Sequence, residues 1–301
     1  MKKDRLPLIL TGVIVGSIAL VLAIFEIWTP LKIKYNASNY ASADAVERVR
    51  IAEVLCKLGD SGRKALYNAF RERCIAEQKF VPGGTFVMGC DNGESDERPA
   101  HIITVSGFAL DIFEVTNEKY YVFILLTGRS APEHWLGGRI PEGEESRPVV
   151  NVSWHDAKAY SSWLGMSLPT EAQWEYTCRA GSAGDFCFGN NSKLLVEYAW
   201  FDANCDNSAH SVAGKKANAW GLFDMHGNVF EWCRDWYDGS FYEKSPPENP
   251  RGPDVGYQRV VRGGAWNFKL DYCRSSCRYM YYPITKNASI GFRVCKSSAS
   301  R

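Results

Sequence analysis

The chain has 301 residues, 46% hydrophobic and 23% charged, a composition that excludes a mainly disordered protein and allows one large domain or two small ones. Its 35 basic and 34 acidic residues leave a formal net charge of +1, so no basic excess marks a nucleic-acid surface and no nucleic-acid partner is expected. Ten cysteines without a Cys-x-x-Cys pair argue against a structural zinc site.

Residues 1–5 carry Lys2, Lys3 and Arg5, and Leu6 to Phe25 then run twenty positions without a charge. That is about enough helix to cross a hydrocarbon core of roughly 30 Å, which places a transmembrane helix over 6–28. The leading positive charges put 1–5 in the cytoplasm and the rest outside, in a periplasm or at the cell surface; Lys32 and Lys34 pull the other way. A cleaved signal peptide is the competing reading, but the apolar run exceeds the usual h-region and no small-x-small site follows it. On that side of the membrane Cys56, Cys74, Cys90, Cys178, Cys187, Cys205, Cys233, Cys273, Cys277 and Cys295 meet conditions in which disulfides form, with a connectivity that spacing does not give.

In the next segment, 29–78, Val46, Ile51, Val54, Leu55 and Leu58 recur near helical spacing. Gly59-Asp60-Ser61-Gly62 breaks the pattern, and Leu66, Phe70 and Ile75 resume it over 63–78. This reads as a helical stalk or hairpin, without the sustained heptads of a partner-binding coiled coil. From 79 to 297 the texture changes to short apolar runs punctuated by Gly, Pro, Asn and Asp, with nine of the ten tryptophans, which fits a loop-rich α+β domain. Helices are expected over 117–126 behind an N-cap at Thr116 and over 154–164 behind Ser153. Another starts at Thr170, with Gln173 in the capping-box position. Residues 298–301 are left as a tail.

Seven motifs then occur in order: 80–89 (FVPGGTFVMG), 114–117 (EVTN), 148–154 (PVVNVSW), 168–175 (LPTEAQWE), 218–232 (NAWGLFDMHGNVFEW), 262–266 (RGGAW) and 290–294 (IGFRV). On these the chain resembles the formylglycine-generating enzyme, or sulfatase-modifying factor, family. The resemblance implies a variant of the C-type lectin fold. Fold alone confers no chemistry, so the site is argued separately.

The resemblance implies oxidation of a cysteine by two thiols that hold Cu(I), an ion soft thiolates suit. Phe268 stands at the first of those positions. Counting five residues on reaches Cys273, although the stretch from Gly263 to Arg278 is shorter than in the copper enzymes. Cys273 and Cys277 are thus the remaining catalytic candidates, as a Cu(I) or redox pair, against a structural disulfide or two independent thiols. Copper-dependent formylglycine generation is not expected. None of the histidines His101, His134, His155, His210 and His226 is spaced for a shared metal, and His155 and Asp156 diverge by about 100° on a helix. The resemblance further implies a structural Ca²⁺ held by the Asp224 and Glu231 carboxylates and the Gly227 and Val229 carbonyls, all hard oxygen donors. A turn held by hydrogen bonds is the alternative. In a second implied calcium loop, Trp200 replaces a liganding Asn.

The segment from Trp266 to Ser289 is crowded with aromatics, the composition of a binding surface on loops. Its candidate contact residues are Trp266, Phe268, Lys269, Tyr272, Tyr279, Met280, Tyr281, Tyr282, Ile284 and Thr285. The same frame resembles the variable region of proteins made by diversity-generating retroelements; ordinary packing of aromatics is the alternative. Together these features describe a membrane-anchored extracytoplasmic protein that binds a protein or glycan ligand. An extracytoplasmic metal-dependent oxidase and an accessory subunit of a membrane partner are the other readings.

Overall fold

The computed structural model describes residues 27–297, and the expected membrane-spanning run up to residue 25 lies outside them. Among the described residues no helix is long and apolar enough to cross a membrane. The chain divides into two compact units, the first ending at Arg73 and the second beginning at Cys74.

In the first unit residues 27–40 are helical, followed by α1 (Ala45–Lys57) and all but the last three residues of α2 (Gly59–Ala76). Asp44 caps α1 by accepting the Glu47 amide at 2.8 Å, and Ile51, Ala52 and Leu55 form its buried stripe. The expected four-residue break shrinks to Leu58, and Gly59, the first residue of α2, takes the φ of +73° that glycine adopts readily. Gly62 lies inside α2. A Cβ there would sit 2.1 Å from the Leu55 carbonyl oxygen, so the glycine that looks like a helix breaker instead lets two helical backbones meet.

The second unit contains three small sheets. β1 (Gln78–Val81), β4 (Phe108–Asp111) and β9 (Cys295–Ser297) form an antiparallel sheet with β4 central, so the first and last strands flank one neighbour. β2 (Gly84–Met88) pairs with β3 (His101–Val105). β5 (Phe230–Trp236), β6 (Arg259–Arg262), β7 (Tyr279–Tyr281) and β8 (Ile290–Gly291) make a four-stranded sheet ordered β7-β6-β5-β8, with β8 parallel to β5. Helices α3 (Asn117–Thr127), α4 (Trp154–Trp163) and α5 (Glu171–Arg179) start where expected. Thr116 caps α3, and Ser153 and Thr170 close full capping boxes with Asp156 and Gln173.

The short helix α5 contacts β2, β3, β5 and β6, and its side chains explain why the sequence motifs contain so many charges. Arg262 is fully buried and pairs with Glu175. Arg278 forks onto both oxygens of Glu171 at 2.8 and 3.0 Å. Arg179 reaches Glu175 at 2.8 Å. Nearby, Arg293 forks onto Glu231 at 2.7 and 2.6 Å, and Trp174 Nε1 donates to the same carboxylate at 2.8 Å. Buried charges are tolerated only when paired and hydrogen-bonded in this way. The TEAQWE, NVFEW, RGG and GFR motifs are therefore one ionic core read from four places in the chain.

Candidate functional site

Strand pairing assembles the aromatic segment. β7 aligns Tyr281 with Arg259 and Tyr279 with Val261 of β6, while β6 pairs with β5. Tyr279 stacks on Phe230 at 5.4 Å between ring centroids, and Phe268 meets Phe230 edge-on at 4.8 Å. Tyr272 lies 5.1 Å from Phe268 and 5.8 Å from Tyr279, and Tyr281 lies 5.3 Å from Tyr279. Trp232 extends the row at 6.4 Å from Tyr281. Phe268, Tyr279 and Tyr281 are half-buried and Tyr272 is exposed, so the cluster is rigid beneath and open above.

The other candidates fall around this row. Trp266 Nε1 donates to the Ala288 carbonyl at 3.2 Å, tying the two ends of the segment together. Tyr282 and Ile284 are 58% and 77% exposed, beside the half-buried rings of the row. Lys269 is also exposed, and Thr285 is half-buried. Met280 alternates to the opposite face of β7 from Tyr279 and Tyr281. Phe230 and Trp232 belong to the cluster but lie on a distant strand. Only their own alternation on β5 hints at a shared face, and the pairing that joins them to β7 is not visible in the sequence.

The thiols form a different kind of site. Cys273 is fully buried and Cys277 nearly so; burial pushes the Cys273 thiol far up and that of Cys277 up to about 12. Gly263 and Gly264 adopt φ of +103° and +77°. A Cβ on Gly264 would stand 2.7 Å from Cys273 Sγ, so the Gly-Gly turn closes directly over that sulfur. His226 is buried beside it. Its Nδ1 donates to the Cys273 carbonyl at 2.7 Å and its Nε2 accepts the Cys187 amide at 3.1 Å, which fixes a neutral tautomer. Cys178 Sγ lies 3.8 and 3.9 Å from the two ring nitrogens, its own thiol pushed up to about 12 by burial.

With Phe268 at one expected thiol position and the Gly263–Gly264 turn closed over Cys273 at the other, the two thiols that would hold Cu(I) are not assembled at these positions. All ten cysteines stand as free thiols in the structure. Most of these thiols are buried and act as small apolar core groups. Among the described residues no group of three or more His, Cys, Asp or Glu side chains could hold a metal ion.

The expected calcium loop places Asp224, Gly227 and Asn228 at φ of +55°, +73° and +60°. Asp224 Oδ2 accepts the Ala213 amide at 2.6 Å, whereas its Oδ1 is buried without a partner. Glu114 Oε1 accepts from Asn228 Nδ2 at 3.0 Å, and its Oε2 is likewise buried and unpartnered. Burial and then the Asp224 charge raise the Glu114 carboxyl well above its ordinary value, and burial raises Asp224 to about 6. Glu114 and Asp224 thus need a shared proton or a cation. The two side chains are close enough to hydrogen-bond to each other through a shared proton; a Ca²⁺ in that proton's place would be held by Asp224 and Glu114 as hard oxygens. Glu231 is engaged by Arg293 and Trp174. In the second implied loop Trp200 stacks on His210 at 3.7 Å, and Lys215 Nζ lies 3.7 Å from the same ring.

Comparison with known proteins defines the class. Residues 64–298 match the model of the sulfatase-modifying factor enzyme 1-like domain, and the chain belongs to that family, with its mixed helix-and-strand fold. It is 32% identical to a formylglycine-generating enzyme of Streptomyces coelicolor, over 77% of this chain and 92% of that protein. It is 36% identical to a protein of Chlamydia trachomatis serovar L2 named serine/threonine-protein kinase Pkn1, over 74% of this chain but 38% of the relative, so it spans under two fifths of that protein. Among solved structures it resembles Treponema denticola variable protein 1, with a TM-score of 0.64 and 27% identity over 73% of this chain and 94% of that one. PvdO from Pseudomonas aeruginosa gives a TM-score of 0.65 and 28% identity over the same shares.

Proposed function

We propose that the protein is a membrane-anchored, extracytoplasmic binding protein on a sulfatase-modifying-factor scaffold of C-type-lectin type, which holds a protein or glycan ligand on the aromatic surface of the Trp266 to Ser289 segment. The observation that carries this is the row of Phe268, Tyr272, Tyr279 and Tyr281 rings braced by Phe230 and Trp232. Rigid amphipathic rings give contact area at low entropic cost, which is why a few of them dominate many binding energies. Similarity to a variable protein supports a diversified surface here. An extracytoplasmic oxidase would have to use thiols other than the covered Cys273 and Cys277.

Full-length protein in detergent, presented to glycan arrays and displayed surface proteins, should retain at least one saturable ligand. Substituting Tyr279, Tyr281 and Tyr282 by Ala should then abolish that binding while far-UV circular dichroism stays unchanged. Undiminished binding by the triple variant would sink the proposal.

Structural calcium belongs to the same reading, with Asp224 and Glu114 as its carboxylates and Gly227 and Val229 as candidate carbonyl donors. Calcium should raise the melting temperature over that in chelator, because binding to the native state alone stabilises it. Asp224→Asn should shrink that increment; an increment absent from the wild type removes the metal from the account.

A further inference from the structure

The Trp236 end of β5 and the Arg259 end of β6 border a cavity of about 580 Å³, whose lining includes Trp154, Lys158, Arg234, Trp236, Arg251 and Arg259. Arg259 is clamped between two indoles, its guanidinium carbon 3.8 Å from the Trp154 ring centre and 3.3 Å from that of Trp236. Its Nη1 donates to the Arg234 carbonyl at 2.6 Å, while its Nε is buried with no acceptor. Lys158 Nζ stands 5.2 Å from the other side-chain wall, the Trp154 ring.

We propose that this cavity binds an oxyanion group, sulfate, phosphate or carboxylate, either free or carried on a saccharide. Four cations line one cavity of a chain whose formal net charge is +1. None of the four has a carboxylate within ion-pair distance among the described residues, and Asp254 is the one acid of the lining. The buried Asp235 below does not neutralise them: burial and then Glu171 push its carboxyl up to about 8, so it is largely protonated at neutral pH. Burial lowers Arg259 to about 10, which still leaves it charged. Cations of one sign along a low-dielectric wall focus the field into the cavity, and a guanidinium fixed between two rings, with Nη1 held by the Arg234 carbonyl, presents its charge and its Nη2 donors with little rotamer entropy left to lose.

The site goes beyond the aromatic surface. A second cavity of about 400 Å³ shares Arg234 and Arg251 with the first and adds the neutral polar side chains Ser106, Gln173 and Asn249. The two together are larger than one inorganic ion needs, which favours a saccharide carrying more than one acidic group.

The test is calorimetric titration of the full-length protein in detergent with sodium sulfate and, separately, with a heparin-derived tetrasaccharide, at low and high salt. Wild type should bind saturably and more weakly at high salt. Arg259→Gln should weaken binding at least about tenfold, the loss of one charge-assisted hydrogen bond. Because Arg259 also packs, the exposed double variant Arg234→Gln/Arg251→Gln provides an independent reading and should show a similar loss. Lys193→Gln, outside the cavity, should bind as wild type does. Binding of the tetrasaccharide but not of sulfate assigns the ligand to a saccharide, and comparable binding of both assigns a free oxyanion. No binding of either, or equal binding by the double variant, overturns the proposal.

Discussion

Replacing Arg262 by methionine is expected to destabilise the second unit by about 3–5 kcal/mol, the usual consequence of removing one partner from a buried ion pair. Arg262 is wholly buried and faces Glu175, with Glu171 3.6 Å from its Nε. It also donates to the carbonyls of Ser275 at 3.0 Å and Ser276 at 2.8 Å, and to that of Cys277. Without it, Glu175 keeps Arg179 and the Gly89 amide, but three buried carbonyls lose their donor, each at a desolvation cost of about 1–3 kcal/mol. Denaturant unfolding of wild type and variant measures the difference. A loss below about 1 kcal/mol would mean the pair is not the keystone its burial implies. The carbonyls concerned immediately precede β7, so Arg262 also fixes where Tyr279 and Tyr281 stand. Any ligand of the aromatic surface should therefore bind Arg262→Met less tightly even below its unfolding temperature.

This coupling also explains what could be read in advance. The caps at Thr116, Ser153 and Thr170 were legible because a capping side chain and its target lie within three residues. The order of the motifs is enough to indicate the family, whereas placing Phe268 at a thiol position rests on that resemblance and on counting. What local pattern could not give was the use of the charges in those motifs: Glu171, Glu175 and Glu231 meet Arg262, Arg278 and Arg293 only after the chain has folded. For the same reason nothing local in the sequence joins Phe230 and Trp232 to the aromatic row, or Trp154, Trp236 and Arg259 to one cavity. Gly62 reads as a breaker because a glycine used for close approach and one used to break a helix look alike in sequence.

Glu231→Gln is expected to be comparably damaging, by about 3–5 kcal/mol, and its calcium dependence distinguishes two roles for one carboxylate. In the family pattern Glu231 would be a calcium ligand. In this structure both its oxygens accept from Arg293, and one also accepts from Trp174 Nε1. If Glu231 serves as the counter-ion of Arg293, the variant should lose the same stability in calcium and in chelator, and the calcium increment itself should survive. The double variant Glu231→Met/Arg293→Met should then recover much of the loss, since a buried pair exchanged for apolar groups of similar volume is often near neutral. If Glu231 instead holds the metal, Glu231→Gln alone should erase the calcium increment. Asp224→Asn separates the cases from the other side. Asp224 and Glu114 carry the unpartnered oxygens, so removing the Asp224 charge should reduce the increment while leaving the Glu231–Arg293 pair intact. Thermal unfolding of the three variants with calcium and with chelator thus decides whether the family's acidic loop is used here as a metal site, as an ionic core, or as both with the work divided between Asp224 and Glu231.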